Sequence, residues 1–491
     1  MAPGPGATDM ASSRGLAANL VFGVSTNLVR VGLQLVMLPV MARLLGPREL
    51  GLYALAMPMI NFVLLLSDAG VGDSLAREKA QDRLVWSSAF WGLVGTGVVA
   101  MAAVNGAAWL VADAARQPRL PGLILPLSLT LLLVALTTIP QARMVRVGNT
   151  VPGAVTDMVA HMLGAATAIA AALYGFGVWA LVAQYLTTYV IRAIGYNLAQ
   201  PFLPGLQFRA SSLLSHTGMG SQVLANRLMD LGASMFERSR VSLKLGAAAV
   251  GGYAYANQIG IFASNTVGSP MWANLYYVAL NKTPNEVSDA FVRSHRLFAL
   301  LIFPCAALLA VDMPTLVPLL LGPRWGGSVG PIMVMVLTAP FGNLATLHTA
   351  IFYARGLGRR VLLGLSIVVV LRMVTALVGW RYGVFGLCLG LGVISIGYYL
   401  ATTAVASRVV GCSTALLFSV VAAPLLASIA AGALLHALQA GTASIGWLVA
   451  SNLLAFACYA GLLLLFDRKH VQTDAQAAMA MVLRRPVADP A

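Results

Sequence analysis

Charge is scarce in this chain. Asp, Glu, Lys and Arg make up 10% of its 491 residues, where an average soluble domain carries about 25%. With 59% hydrophobic residues beside it, that shortage excludes a soluble globular protein and requires a polytopic membrane protein. Short alternating apolar segments are missing, which excludes a closed β-barrel. Cysteine is nearly absent. Cys305, Cys388, Cys412 and Cys458 fall in apolar segments far apart, with neither a disulfide framework nor a metal spacing, and read as small buried hydrophobes. No loop is long enough for a nucleotide-binding domain, and no Walker sequence or Gly-rich phosphate loop is present, which excludes an ATP-driven pump within this chain. A membrane glycosyltransferase would need clustered acids in a sizeable loop, and a channel would need a filter-like repeated loop; neither is found. The chain is expected to be no enzyme and to need no cofactor.

What is present is a succession of long apolar runs. Runs near 20 residues cross the bilayer as helices, and the pattern predicts an all-α protein of about fourteen spans. They are expected at 16–41, 50–70, 84–112, 121–140, 152–173, 177–199, 213–239, 248–270, 291–311, 328–352, 361–379, 383–407, 413–436 and 444–466. Residues 1–13 are expected to be disordered, and 467–491 form a polar tail. Arg14 precedes a first apolar segment too long for a signal-peptide core.

The net charge of +15 could point to nucleic acid, but the basic residues sit in short loops, where they orient the chain. With the N-terminus inside, sets such as Arg77, Lys79 and Arg83, or Arg355, Arg359 and Arg360, outnumber those outside by about two to one. Both termini are therefore expected in the cytoplasm. Arg192 counts among the inside residues; Arg30, Arg227 and Arg372 lie within spans.

An internal repeat organises the chain. Leu45-Gly46 followed by Gly51-Leu52-Tyr53-Ala54-Leu55-Ala56 returns two hundred positions later as Leu245-Gly246 followed by Gly251-Gly252-Tyr253-Ala254-Tyr255-Ala256. Each cassette sits as a hinge between two apolar segments, and parallel repeats are a signature of transporters. The expected organisation is an N-lobe over 14–209, a C-lobe over 210–410 and two further helices over 411–466, each lobe holding six helices.

Polar groups at bilayer depth normally face protein or a water-filled cavity. The first span carries Asn27, Arg30 and Gln34 on one face, and the seventh carries Gln222, Asn226, Arg227, Asp230 and Glu237 on or beside another. These stripes mark the first and seventh spans as cavity walls. The two-hundred-residue offset matches Arg30 to Asp230 and Asn27 to Arg227. Two alternatives stand: Arg30 and Arg227 bind an anionic substrate while Asp230 controls access or coupling, or the charges form a structural ion pair. Asp157 and His161, one turn apart in the fifth span, form either a proton relay or a simple hydrogen-bonded pair. His348 with Asn343 reads as an interhelical pair, and the lone Arg372 either as a partner for another helix or as a substrate contact.

Leu44-Leu45-Gly46-Pro47 with Gly51-Leu52-Tyr53-Ala54, and Asp68-Ala69-Gly70-Val71-Gly72 with Ala76-Arg77-Glu78, resemble the polysaccharide-transport (oligosaccharide flippase) family of the MOP superfamily. Glu237-Arg238 is similar to that family's Asp-Arg ahead of the second cassette. Val317-Pro318-Leu319-Leu320-Leu321-Gly322-Pro323-Arg324-Trp325, Tyr353-Ala354-Arg355-Gly356-Leu357-Gly358-Arg359 and Tyr382-Gly383-Val384-Phe385-Gly386 resemble further hinges. The resemblance implies two six-helix lobes opening alternately across a bacterial inner membrane. It implies outward flipping of an oligosaccharide on a polyprenyl pyrophosphate carrier, with membrane lipids as surroundings and polysaccharide polymerase and export machinery as partners. Proton or sodium coupling would fall to Asp157, Asp230 or Glu237; facilitated flipping would need no acid. The sister multidrug exporters of cations are an alternative, disfavoured by Arg30 and the lack of an acid in the first span. A non-transporting scaffold for polysaccharide assembly is another.

Overall fold

Every element among the described residues is helical. The computed structural model describes residues 32–61, 64, 83–147, 151–205, 207, 209, 221–263, 267–439 and 444–466. The helices are α1 (32–61, two right-handed segments joined at Gly46), α2 (Arg83–Ala115), α3 (Leu120–Val147), α4 (Val151–Leu173), α5 (Trp179–Ala199), α6 (Ser221–Leu245) and α7 (Ala247–Ala263). They continue with α8 (Ser269–Asn281), α9 (Pro284–Leu316), α10 (Val329–Ala354), α11 (Gly358–Val378), α12 (Gly383–Val410), α13 (Thr414–Gln439) and α14 (Ile445–Phe466). Among the described residues, 8 stretches are long and apolar enough to cross a membrane, and Gly358–Val410, counted as one of them, holds both α11 and α12. Helix α6 is not one of them, since Arg227, Asp230, Glu237, Arg238, Arg240 and Lys244 crowd into it.

Most bounds agree with the apolar runs, and the departures have local causes. Helix α9 starts seven residues ahead of the expected 291. Thr283 and Glu286 form a capping box there, the Thr283 N–H donating to Glu286 Oε2 at 3.0 Å, with Pro284 in the first turn. These caps satisfy the first orphan N–H groups, so the helix begins in polar sequence that hydropathy overlooks. Over the expected span 248–270 the described residues form α7 up to Ala263 and a helical turn from 267 that leads into α8. Pro270 has no N–H to donate to a preceding turn and sits at the start of α8.

The chain divides into two compact units. One gathers the described residues of Met1–Ala254, Pro318–Trp325 and Arg372–Val384; the other gathers those of Tyr255–Val317, Gly326–Leu371 and Phe385–Ala491. The second unit has its own core, with Phe291, Phe298, Leu344, Leu347, Ile351 and Leu417 buried.

Both repeat cassettes meet inside the first unit. Gly46 has φ of +75° and Gly246 of +86°, left-handed values that end one right-handed segment and let the next begin. Five residues on, each cassette offers a glycine to the other. A methyl on Gly51 would lie 1.7 Å from the Ala247 carbonyl oxygen, and one on Gly251 would lie 2.0 Å from that of Pro47. The contact is reciprocal under the two-hundred-residue offset, as a local two-fold requires. The first cassette is anchored further. Glu49 accepts the Val178 N–H at 2.9 Å and a bond from Arg119 at 3.1 Å. Buried Trp325 donates its Nε1 proton to Ala42 O at 3.0 Å.

Gly51→Ala and Gly251→Ala should each destabilise the protein by about 3 kcal/mol or more, since backbone must separate from backbone. Thermal unfolding in detergent and membrane abundance measure this. Gly106→Ala, where a methyl meets nothing within 4 Å, should be neutral or mildly stabilising.

Candidate functional site

The site is built on α6. Arg227, Asp230, Ser234 and Glu237 are spaced by three and four residues and so share one helical face. Burial changes along that face. The Asp230 side chain is 63% exposed and that of Glu237 is 0% exposed. Arg227 is exposed.

Arg372 reaches this stripe from α11. Its Nε donates to Glu237 Oε1 at 2.7 Å and its Nη2 to Glu237 Oε2 at 3.1 Å, the two-pronged grip of a guanidinium on a carboxylate. Nη1 donates to Asp230 Oδ1 at 2.5 Å, and Nη2 also approaches Ser234 Oγ at 3.4 Å. The Tyr253 hydroxyl, from the second cassette, donates to Glu237 Oε2 at 2.7 Å. Three donors thus converge on one buried carboxylate. Arg238, the next residue, donates its Nη1 proton to Ala54 O of the first cassette at 2.6 Å. Adjacent side chains of opposite charge therefore hold the two cassettes. Ser242 adds a bond to Ala115 O at 2.8 Å, tying α6 to the end of α2.

The other expected residues lie as follows. Asn27 and Arg30 are outside the described residues. Gln34 is exposed on α1. Gln222 and Asn226 are in the first turns of α6, with side chains outside the described set. Asp157 on α4 is held from α5: Arg192 Nε lies 2.8 Å from Oδ1, and the Tyr196 hydroxyl donates to Oδ2 at 3.2 Å. Arg192 also stands over the Tyr189 and Tyr196 rings at 5.5 and 5.8 Å. The charge count treats Arg192 as a loop residue; it is on α5, held to a carboxylate and two rings. His161 is half-buried one turn beyond Asp157.

A histidine pair emerges in the second unit that the sequence signals only in part. His348 is fully buried on α10, and its Nε2 lies 2.9 Å from His295 Nε2 on α9, the rings stacked at 5.0 Å. His295 Nδ1 faces the Phe291 carbonyl at 2.9 Å, and His348 Nδ1 faces Thr402 Oγ1 at 2.8 Å. Proton counting links these contacts. A carbonyl only accepts, so His295 carries its proton on Nδ1. If Thr402 donates to His348 Nδ1, both rings are neutral. If Thr402 donates to Tyr398 O, 2.7 Å away, the pair holds one extra proton. The rotor of one hydroxyl distinguishes the two states.

With this geometry in place, a family model described as "Polysaccharide biosynthesis protein" matches residues 40–330, a range holding both cassettes and the Glu237-Arg238 pair. The chain belongs to the polysaccharide biosynthesis protein family. Among this family's relatives, the succinoglycan biosynthesis transport protein ExoT of Rhizobium meliloti (strain 1021) is 23% identical over 361 residues, covering 72% of this chain and 71% of that protein. The lipopolysaccharide biosynthesis protein WzxC of Escherichia coli (strain K12) is 24% identical over 311 residues, covering 62% and 63%. In fold, the chain is similar to the lipid II flippase MurJ in an inward closed conformation, with a TM-score of 0.73 at 12% identity over 92% of this chain and 100% of that one. It is also similar to an inward-facing multidrug resistance MATE transporter of the MOP superfamily, with a TM-score of 0.63 at 15% identity over 79% and 95%. The expected polysaccharide-transport family is thereby borne out, and the protein is a multi-pass membrane protein, helical among its described residues, with a fold similar to those of MurJ and the MATE transporter.

Glu237→Ala removes the acceptor of the Tyr253 hydroxyl and of the Arg372 Nε and Nη2 donors and should cost about 3–5 kcal/mol. Asp230→Asn breaks only an exposed pair and should cost about 0–1 kcal/mol. Thermal unfolding of the two purified variants checks the contrast.

Proposed function

We propose that the protein is a flippase that moves an oligosaccharide linked to a polyprenyl pyrophosphate from the inner to the outer leaflet of a bacterial inner membrane. One observation carries this conclusion: a chain of the polysaccharide biosynthesis family shares its fold with a lipid II flippase over that protein's full length. The cargo class follows from the relatives, one in succinoglycan transport and one in lipopolysaccharide synthesis.

In this account the chain forms fourteen spans, two six-helix lobes related by the cassette repeat and two C-terminal helices, with both termini in the cytoplasm. Arg30 and Arg227 offer rigid donor forks to the pyrophosphate, and Asn27, Gln34, Gln222 and Asn226 offer hydrogen bonds to sugar hydroxyls. Asp230 controls access by competing with the substrate anion for Arg372. The magnitudes favour that exchange. Releasing the exposed Asp230 forfeits about 0–1 kcal/mol, while the buried grip on Glu237 keeps the guanidinium in place. Coupling, by protons or sodium or by downstream consumption of the flipped product, would involve Asp157, His161, Asp230 or Glu237. Polymerase and export machinery are the expected partners. The alternatives are a cation exporter of the same superfamily and a membrane scaffold for polysaccharide assembly.

Export of cell-surface polysaccharide in a strain lacking this gene tests the proposal, with complementation by wild type, Arg30→Ala, Arg30→Lys or Arg372→Ala at matched membrane levels. The expected result is more than a tenfold loss with Arg30→Ala, partial recovery with Arg30→Lys, and lipid-linked oligosaccharide accumulating on the cytoplasmic leaflet. Normal export by Arg30→Ala would remove Arg30 from the site. Export and lipid-linked pools unchanged by loss of the gene would overturn the flippase assignment itself.

A further inference from the structure

A second cationic site lies away from the α6 stripe, at the membrane boundary where α2 begins and α3 and α5 end. A cavity of about 440 Å³ there is lined by Trp86, Arg143, Arg146, Gln200 and Phe202, with Val147, Pro201 and Leu203 completing it. Among the described residues, its charged lining is Arg143 and Arg146. Each guanidinium stands against a ring: Arg143 is 5.7 Å from the Phe202 centroid, and Arg146 is 5.9 Å from that of Trp86. These contacts hold the charges in place, as a pre-organised anion site requires.

The segment after α5 completes the cavity, and four hydrogen bonds fix it. Arg143 Nη1 donates to Pro201 O at 2.8 Å, using one of its five N–H donors. The Gly205 N–H donates to Ser87 Oγ and the Arg209 N–H to Ser88 Oγ, each at 2.9 Å, and Trp91 Nε1 donates to Gly205 O at 2.9 Å. The non-helical residues 201–205 thus lie against the first turns of α2, beside the arginines. Leu203 and Val147 are 82% and 70% exposed at the rim, so apolar surface adjoins a cationic interior. That combination fits an amphiphile whose phosphate enters the cavity while its chain stays in the membrane.

We propose that this cavity binds the phosphate headgroup of a membrane lipid through Arg143 and Arg146. Paired guanidiniums present parallel N–H donors to phosphate oxygens, and basic pockets between membrane helices take up anionic headgroups. The headgroup chemistry is shared by a bilayer phospholipid and by a prenyl pyrophosphate. The site does not depend on the transport assignment, because binding to purified protein tests it whether or not the protein flips anything.

Native mass spectrometry of the purified full chain measures it, with phosphatidylglycerol, phosphatidylcholine or farnesyl pyrophosphate added in detergent. Wild type should retain phosphatidylglycerol or farnesyl pyrophosphate at least tenfold better than phosphatidylcholine. Arg143→Ala with Arg146→Ala should remove that preference, and Arg143→Lys with Arg146→Lys should keep part of it, a pair that preserves charge should the alanine pair fail to fold. Arg359→Ala with Arg360→Ala, a pair in the first turn of α11, should leave it unchanged. Loss of phosphatidylglycerol binding identifies a bilayer lipid as occupant; loss confined to farnesyl pyrophosphate identifies a prenyl pyrophosphate. Equal retention by wild type and both Arg143/Arg146 variants, or an equal loss in the Arg359/Arg360 control, would overturn the proposal.

Discussion

The Glu237 carboxylate is the constraint on which the first unit depends. Removed from solvent, an unpaired carboxylate would be prohibitive, so its surroundings must supply donors. Arg372 supplies two and Tyr253 a third. Those donors bring α11 and α7 to α6, and Tyr253 belongs to a cassette whose Gly251 packs backbone to backbone against the other cassette. Arg238 closes the arrangement by bonding Ala54 of that first cassette. Chain segments hundreds of residues apart are thereby fixed in register by one ion pair and two glycines.

Burial differs sharply along the same stripe. Glu237 is sealed, and breaking its contacts destabilises the fold. Asp230, one helical repeat earlier, is open to solvent yet shares the same guanidinium. An arginine anchored at one end and exchangeable at the other can change partners without leaving its place. That is the physical requirement for an ionic gate facing an anionic cargo.

Much of the fold was legible from apolar run length alone, because a helix of about 20 residues is what a bilayer demands. The cassette repeat was also legible: its glycines sit where left-handed turns and close approach are needed. Their meeting was not, since identical spacing does not say which surfaces touch. A lone Arg372 in an apolar helix announces a partner, but α6 offers two acids and the sequence does not rank them. Spacing along one helix sets His161 a turn from Asp157 but does not show that the acid also has an ion-pair partner, Arg192, on α5. Nothing in the sequence singles out His295, which stands between Arg293 and Arg296. The capping box at Thr283 was written plainly in the sequence, and hydropathy passed over it.

The most direct test of the central claim is leaflet transfer in proteoliposomes that contain only this protein. A fluorescent oligosaccharide on a polyprenyl pyrophosphate, placed on one leaflet, would be followed by its accessibility to a membrane-impermeant quencher. The account predicts transfer much faster with wild type than in protein-free liposomes, and slowed at least tenfold by Arg372→Ala in protein that remains folded. Transfer no faster than in protein-free liposomes, with folded wild-type protein present, would contradict it.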